Sequence, residues 1–265
     1  MIWISILLML IVGITLGILG SGGSILTLPI LIYVAHLEPV TATSYTLFIV
    51  GISALFGSAR NMFSGLIDFK VLLLFGIPSL FSVYATRYFI LPSLPDDLFE
   101  LAGLKFSKDL FLITFLACLM IIAAITMLRK GKKEKSNVNL ISFQSFFIIL
   151  IQGLFVGLVT GFVGAGGGFL IIPALVNFCN LPIKKAIATS LAIIAVNASI
   201  GFFGDVSKGI LIDYALLSYF TISSLLGTFI GLYLSKSIKE NQLKIIFGWF
   251  VLIIGVFIFV KELFF

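Results

Sequence analysis

Two glycine-rich runs stand out for the chemistry that bare backbone can do: Gly20-Ser21-Gly22-Gly23-Ser24 and Gly164-Ala165-Gly166-Gly167-Gly168. Glycine reaches backbone angles closed to other residues, so each run predicts an unwound stretch with N–H groups free to donate. A short apolar segment follows each run and carries a proline, Pro29 or Pro173, expected at a helix start where a missing N–H costs little. Such a helix N-terminus bears unpaired N–H groups and about half a positive charge, which makes it an anion site. Thr43, Ser44, Thr189 and Ser190 open the next segments and can turn hydroxyls to the same point, and Asn197 adds an amide. The expected substrate-binding set is these residues together with both glycine runs. It would hold a negative guest with dipoles rather than full charges.

Other chemistries find less support. Gly164 to Phe169 has the outline of a dinucleotide fingerprint, but no strand precedes it and no acidic residue lies about 20 positions on. A Gly-x4-Gly-Lys-Ser/Thr phosphate loop is missing too, so ATP drive would need another subunit. Cys118 and Cys179 are isolated from each other and from the lone His36, a pattern of small core residues rather than a metal cluster or disulfide framework. His36 reads as a loop residue. Asp68, Asp205 and Asp213 stand near segment ends, where solvation is the default and a proton role stays open. Arg60 and Arg87 read as side chains that snorkel to the surface. With no nucleophile–base or metal constellation, the expectation is a protein that is not an enzyme and carries no cofactor.

The elements that position these residues follow from composition. The 265 residues are 60% hydrophobic and 11% charged, with a mean hydropathy of +1.25. A soluble domain carries about 25% charged residues, and a disordered one needs low hydrophobicity and high charge; both are excluded. The fold class is all-α: a polytopic membrane protein of about eight spans, each near 20 residues. Apolar runs fall at 2–19, 24–35, 42–60, 70–91 and 109–128, then at 141–163, 168–179, 186–204, 213–234 and 242–260. The runs at 24–35 and 168–179 are too short to cross alone and must continue a broken helix or re-enter. No Lys or Arg precedes Arg60 and no small-residue cleavage site is visible, so the first run reads as a span rather than a secretory leader. The net charge of +6 reads as orientation by basic loops, not nucleic-acid binding.

The second set of runs copies the first. Gly13, Gly17, Gly20, Gly22, Gly23 and Pro29 recur 144 positions later as Gly157, Gly161, Gly164, Gly166, Gly167 and Pro173. Ala42-Thr43-Ser44 returns as Ala188-Thr189-Ser190, and Gly65 to Asp68 as Gly209 to Asp213. The chain therefore divides into a first membrane repeat (1–128), a basic linker (129–140) and a second membrane repeat (141–265). Five basic residues between Arg129 and Lys135 place that linker in the cytoplasm. If 141–179 forms a hairpin, twelve of the seventeen basic residues face the cytoplasm, more than for a single crossing. Equivalent loops of the two copies then lie on opposite sides. This is inverted-topology duplication, a plan in which broken helices meet at the midplane; a parallel duplication with kinked helices is the alternative.

On these motifs the chain resembles the TauE/SafE family of sulfite exporter-like permeases. The family pattern, a Gly-rich stretch with a following Pro, an Ala-Thr-Ser and a Gly-x-x-Asp, occurs twice, at Gly20–Pro29, Ala42–Ser44 and Gly65–Asp68, then at Gly164–Pro173, Ala188–Ser190 and Gly209–Asp213. Ser24 departs from it where the second copy has Gly168, and Asn61 and Asp205 stand four before Gly65 and Gly209 in place of an aromatic or His. The resemblance implies a multi-pass protein of the cell membrane, of the prokaryotic inner-membrane kind, that exports sulfite or another small organosulfur anion or oxyanion as one copy rocks against the other. Its partners would be that anion and lipid, with no nucleic acid, and homo-oligomerisation stays open. An anion channel and a non-catalytic membrane anchor are the other readings.

Overall fold

The computed structural model describes residues 2–20, 22–90, 93, 97–101, 104–128, 143–163, 168–207, 210 and 212–264. In the first half α1 is Ile2–Leu19, α2 Gly22–Tyr33, α3 Pro39–Phe63, α4 Phe69–Ala85 with a π-helical turn Thr86–Ile90, and α5 Lys108–Leu128. In the second half α6 is Phe143–Val163, α7 Gly168–Asn177, α8 Ile183–Ser207, α9 Tyr214–Ser235 and α10 Glu240–Phe264. One antiparallel ladder, β1 (Asp97–Leu101) with β2 (Leu104–Ser107), joins α4 to α5; the hydropathy reading gave no sign of it. Among the described residues, five helices are long and apolar enough to cross a membrane: Val40–Phe63, Phe69–Ile90, Ile183–Ser207, Tyr214–Ser235 and Asn241–Lys261. Trp3–Leu19 and Phe146–Phe162 are shorter apolar helices.

Local chemistry sets the helix boundaries. The aspartates of the Gly-x-x-Asp motifs are N-caps: Asp68 accepts from the Val71 N–H, and Asp213 from those of Ala215 and Leu216. A capping carboxylate satisfies N–H groups that have no partner within the helix, so these two are structural. His36 and Asn180, 144 positions apart, both take positive φ (55° and 49°) just after the short helices. Asn and His tolerate that left-handed region better than most residues, and at each site the chain folds back, Leu37 N–H to Leu31 O and Leu181 N–H to Leu175 O. Pro29 and Pro173 lie inside α2 and α7 rather than at their starts, because helix begins at the glycines themselves. Gly22, Gly23 and Ser24 are already in α2 and Gly168 opens α7, and among the described residues of the first run Gly20 (φ 74°) alone stands outside a helix. Ser21 and Gly164, Ala165, Gly166 and Gly167 lie outside the described residues.

Long-range contacts fix each helix's direction. Ser44 of α3 meets Asp205 near the end of α8, and the Asp68 N–H donates to Thr189 near its start. The bundle thus has a basic end, with Arg60, Lys184 and Lys236, and a far end, with Ser44, Arg87 and Asp205. Helix α3 runs to the basic end, α4 away from it, and α8 away from it beside α4. Helix α5 lies antiparallel to α10, with Gly248 on Leu128 and Gly255 on Met120. Burial of Cys179 near Asp68 brings the chain after α7 back to the basic end, as the hairpin reading expects.

Glycines on α1, α6 and α9 let backbones touch. A Cβ on Gly13 or Gly17 would strike the Ser224 or Thr228 carbonyl of α9, and one on Gly227 or Gly231 the Leu10 or Ile14 carbonyl of α1. The same parallel contact joins α6 to α4, with Gly157 on the Ser79 carbonyl and Gly161 on Thr86. Hydroxyls reinforce both pairs, Ser223 donating to Ile6 O and Ser82 to Leu154 O. Hydrocarbon provides no hydrophobic drive between helices, so close van der Waals approach and such hydrogen bonds hold them. Because α1 lies on α9 and α4 on α6, each half grips a helix of the other. Rocking of one copy as a block, as the sequence led us to expect, would have to pull these contacts apart. Gly13→Ala and Gly157→Ala each force a methyl into a carbonyl and are expected to cost about 1–3 kcal/mol, several degrees of thermal midpoint in detergent. Gly204→Ala, whose Cβ would meet nothing within 4 Å, should leave the midpoint unchanged.

Candidate functional site

At the basic end a cavity of about 270 Å³ opens between α1, α3, α8, α9 and the start of α10. Its polar lining is Arg60, Asn61, Ser64, Lys184, Ser235 and Lys236, with no carboxylate among the described lining residues. The three cations come from separate elements: Arg60 from the last turn of α3, Lys184 from the start of α8, and Lys236 from just past α9. At about 30 Å³ per water, the space takes a small hydrated anion. Like charges gathered in a low-dielectric cleft raise the local concentration of counter-ions.

Farther in, a belt of buried hydroxyls and one amide crosses the bundle. Ser53 and Ser224 share a hydrogen bond of 3.0 Å, and Asn197 Nδ2 donates to Ser79 Oγ at 2.8 Å. Gly51 and Gly57 of α3 pack on Ala198 and Leu191 of α8, which sets Ser53 level with Asn197. Asn197 is 2% exposed and its Oδ1 accepts no hydrogen bond, so the belt keeps one unspent acceptor.

The far end is narrower. Its pocket of about 20 Å³ is lined by Val83, Tyr84, Arg87, Tyr88, Gly204 and Asp205 among others. Arg87 Nη1 lies 2.6 Å from Asp205 Oδ2, which also accepts from the Ser44 hydroxyl at 2.8 Å. Arg87 therefore does not snorkel and Asp205 is not solvated: each is 8% exposed.

The described members of the expected substrate-binding set lie at different levels of the bundle. Gly20 abuts Ile187, a residue of the basic-end cavity, whereas Gly161, three positions before the second glycine run, abuts Thr86 near the far end. Parallel α4 and α8 are registered by Asp68–Thr189, Ser79–Asn197 and Arg87–Asp205. At 1.5 Å per residue, the levels of Ile187 and Thr86 then differ by about 25 Å. Helix α1 runs the bundle's length toward the basic end, and α6 runs the opposite way as far as Val163. Thr189 accepts the Asp68 N–H, Ser190 donates to Ile187 O of its own helix, and Ser44 binds Asp205. Gly23 packs flush on α1, Ser24 is buried and Thr43 half-buried. Among the described residues of the expected set, Asn197 alone has a buried side-chain acceptor left over. The sequence reading passed over Arg60, Lys184 and Lys236 as orientation signals, yet three cations on one side was itself the sign that they gather.

A multi-pass bundle with a cation-lined mouth at one end and a polar belt inside defines a membrane permease. The chain matches the family model "Sulfite exporter TauE/SafE" over residues 5–261 and belongs to that membrane transporter family. It is 26% identical to the "Probable membrane transporter protein YdhB" of Bacillus subtilis (strain 168), covering 90% of this chain and 92% of that one. It is 25% identical to the "Probable membrane transporter protein MJ0441" of Methanocaldococcus jannaschii, covering 94% of each. No solved structure matches it.

Cys179, in the turn between α7 and α8, offers a test of the basic-end packing. Burial pushes its thiol from 9.0 up to about 12, and the Asp68 carboxylate adds to the rise. The thiolate is the reactive form, so at pH 8 alkylation by iodoacetamide should run about a thousandfold slower than for an unshifted thiol. Asp68→Asn, by removing the neighbouring negative charge, should speed it, as read by mass spectrometry.

Proposed function

We propose that the protein is a secondary carrier that exports a small anion, sulfite or another organosulfur anion or oxyanion, by alternating access. The observation that carries this reading is the cation-lined cavity at the basic end, set against a far end where Arg87 and Asp205 pair beside a pocket of about 20 Å³. A channel conducts through a path continuous across the membrane, whereas a carrier exposes its site to one side at a time. The positive-inside rule puts the basic end in the cytoplasm of a cell-membrane protein. An anion drawn in by Arg60, Lys184 and Lys236 would next reach Ser53, Asn197, Ser79 and Ser224, then the far-end pocket. The hydroxyls of Ser53, Ser79 and Ser224 and the amide of Asn197 would have to turn from each other to donate to an oxyanion on this path, and no cofactor or ATP is needed. Moving one negative charge outward down an inside-negative potential releases about 2.3 kcal/mol per 100 mV, enough to drive a uniport.

Residues 1–128 and 141–265 act in this scheme as inverted repeats about the cytoplasmic linker 129–140. The crossed pairs α1–α9 and α4–α6 support that reading, since exchanging the halves turns one pair into the other. So does the chain after α2, which lies at the far end, while its counterpart after α7 lies at the basic end. The bodies that rock would be these mixed pairs rather than the halves, hinged where α3 crosses α8. Purified protein in liposomes should give saturable flux of sulfite or thiosulfate, tested alongside sulfate and acetate. Arg60→Gln and Lys184→Gln, each removing one charge-assisted hydrogen bond of about 1.5–3 kcal/mol, should each raise KM at least tenfold. Flux of none of the four anions, or ohmic current without saturation, would contradict the carrier.

A further inference from the structure

The two ends of the bundle differ at equivalent positions. At an offset of 145, Arg60 stands where the second half has Asp205, and Leu232 stands where the first half has Arg87. Arg60 and Leu232 both line the 270 Å³ cavity, whereas Arg87 and Asp205 are closed on each other over a space of about 20 Å³. One place in the fold is thus wide where an arginine and a leucine line it and narrow where an arginine pairs with a carboxylate. The seal joins three helices. Ser44 of α3 and Arg87 beyond α4 belong to the first half and Asp205 of α8 to the second, all meeting on one carboxylate oxygen.

A buried ion pair adds little net stability, because desolvating both charges offsets their attraction. It suits a lock instead: flooding the pocket with water rehydrates both partners as they separate, so opening is not prohibitive. Resting on the carrier reading above, we propose that Arg87, Asp205 and Ser44 form the outer gate, and that on opening Arg87 becomes the cation of an outward-facing site for the same class of small oxyanion. At the basic end Arg60, the counterpart of Asp205, is one of the cations that line the open cavity. Tyr84 and Tyr88 stack at 5.5 Å beside Arg87 and form the gate's outer wall. The bared guanidinium presents a planar fork of donors that matches an oxyanion's paired oxygens.

Gly204 is the reporter position, since it lines the closed pocket and its Cβ would meet nothing within 4 Å. Gly204→Cys is made in a background carrying Cys118→Ser and Cys179→Ala, and a membrane-impermeant maleimide is added at the far face. Labelling should be slow with the gate intact and at least about tenfold faster with Asp205→Asn, which keeps the side chain's shape while weakening the lock. Arg87→Gln should speed it likewise, so the test survives if one variant fails to fold. Thiosulfate should then protect the introduced thiol in the Asp205→Asn protein, where the guanidinium of Arg87 is retained, but not in Arg87→Gln. Unchanged labelling in both variants would overturn the gate, and equal protection, or none, in both would overturn the anion role of Arg87. Faster labelling in both with no flux of any anion would uphold the gate and overturn the carrier reading instead.

Discussion

A charge inside hydrocarbon has two tolerable conditions, wet or paired, and this bundle uses one at each end. Arg60, Lys184 and Lys236 keep water by lining an open cavity. Arg87 and Asp205 have lost it and hold each other at 2.6 Å. On the carrier reading proposed above, which end is open depends on where pairing replaces hydration, and the long helices carry that choice from one end to the other. Helix α3 has Ser44 of the closed end near its start and Arg60 of the open end near its finish. Helix α8 runs the opposite way, from Lys184 to Asp205.

The packing decides what can move. The α1–α9 and α4–α6 pairs touch backbone to backbone through Gly13, Gly17, Gly157, Gly161, Gly227 and Gly231, and lie near the limit of close approach. The α3–α8 crossing is looser in kind, glycines meeting the side chains of Ala198, Leu191 and Leu47. Sliding there disturbs flexible methyl groups rather than carbonyls. The mid-bundle hydrogen bonds join the two kinds of contact, Ser53 on α3 to Ser224 on α9 and Asn197 on α8 to Ser79 on α4. A shift at the crossing is thereby felt by both tight pairs.

Much of this was legible in the chain. Apolar runs gave the helices to within a few residues, since span length is set by hydrocarbon thickness and breakers are explicit. The basic clusters gave the course of the α6–α7 hairpin. Location and partners were not legible. Periodic glycines announce either an unwound backbone or a flat helix face, and only the neighbour decides: Gly23 lies against α1 and Gly157 against α4. Asp68 and Asp213 looked like titratable groups but are caps, which the Gly-x-x-Asp motif before an apolar run could have told. Arg87 and Asp205 are 118 positions apart, and no local pattern announces a pair formed between halves.

The most direct test of one-end-at-a-time access is a pair of distances measured in the same liposomes by electron paramagnetic resonance. Spin labels at Ser64 and Ser237 report the basic end, and labels at Tyr88 and Ser207 the far end. On adding sulfite or thiosulfate, the account predicts a population in which the far-end distance lengthens while the basic-end distance shortens. Both distances lengthening together, or neither changing while anion crosses, would contradict it.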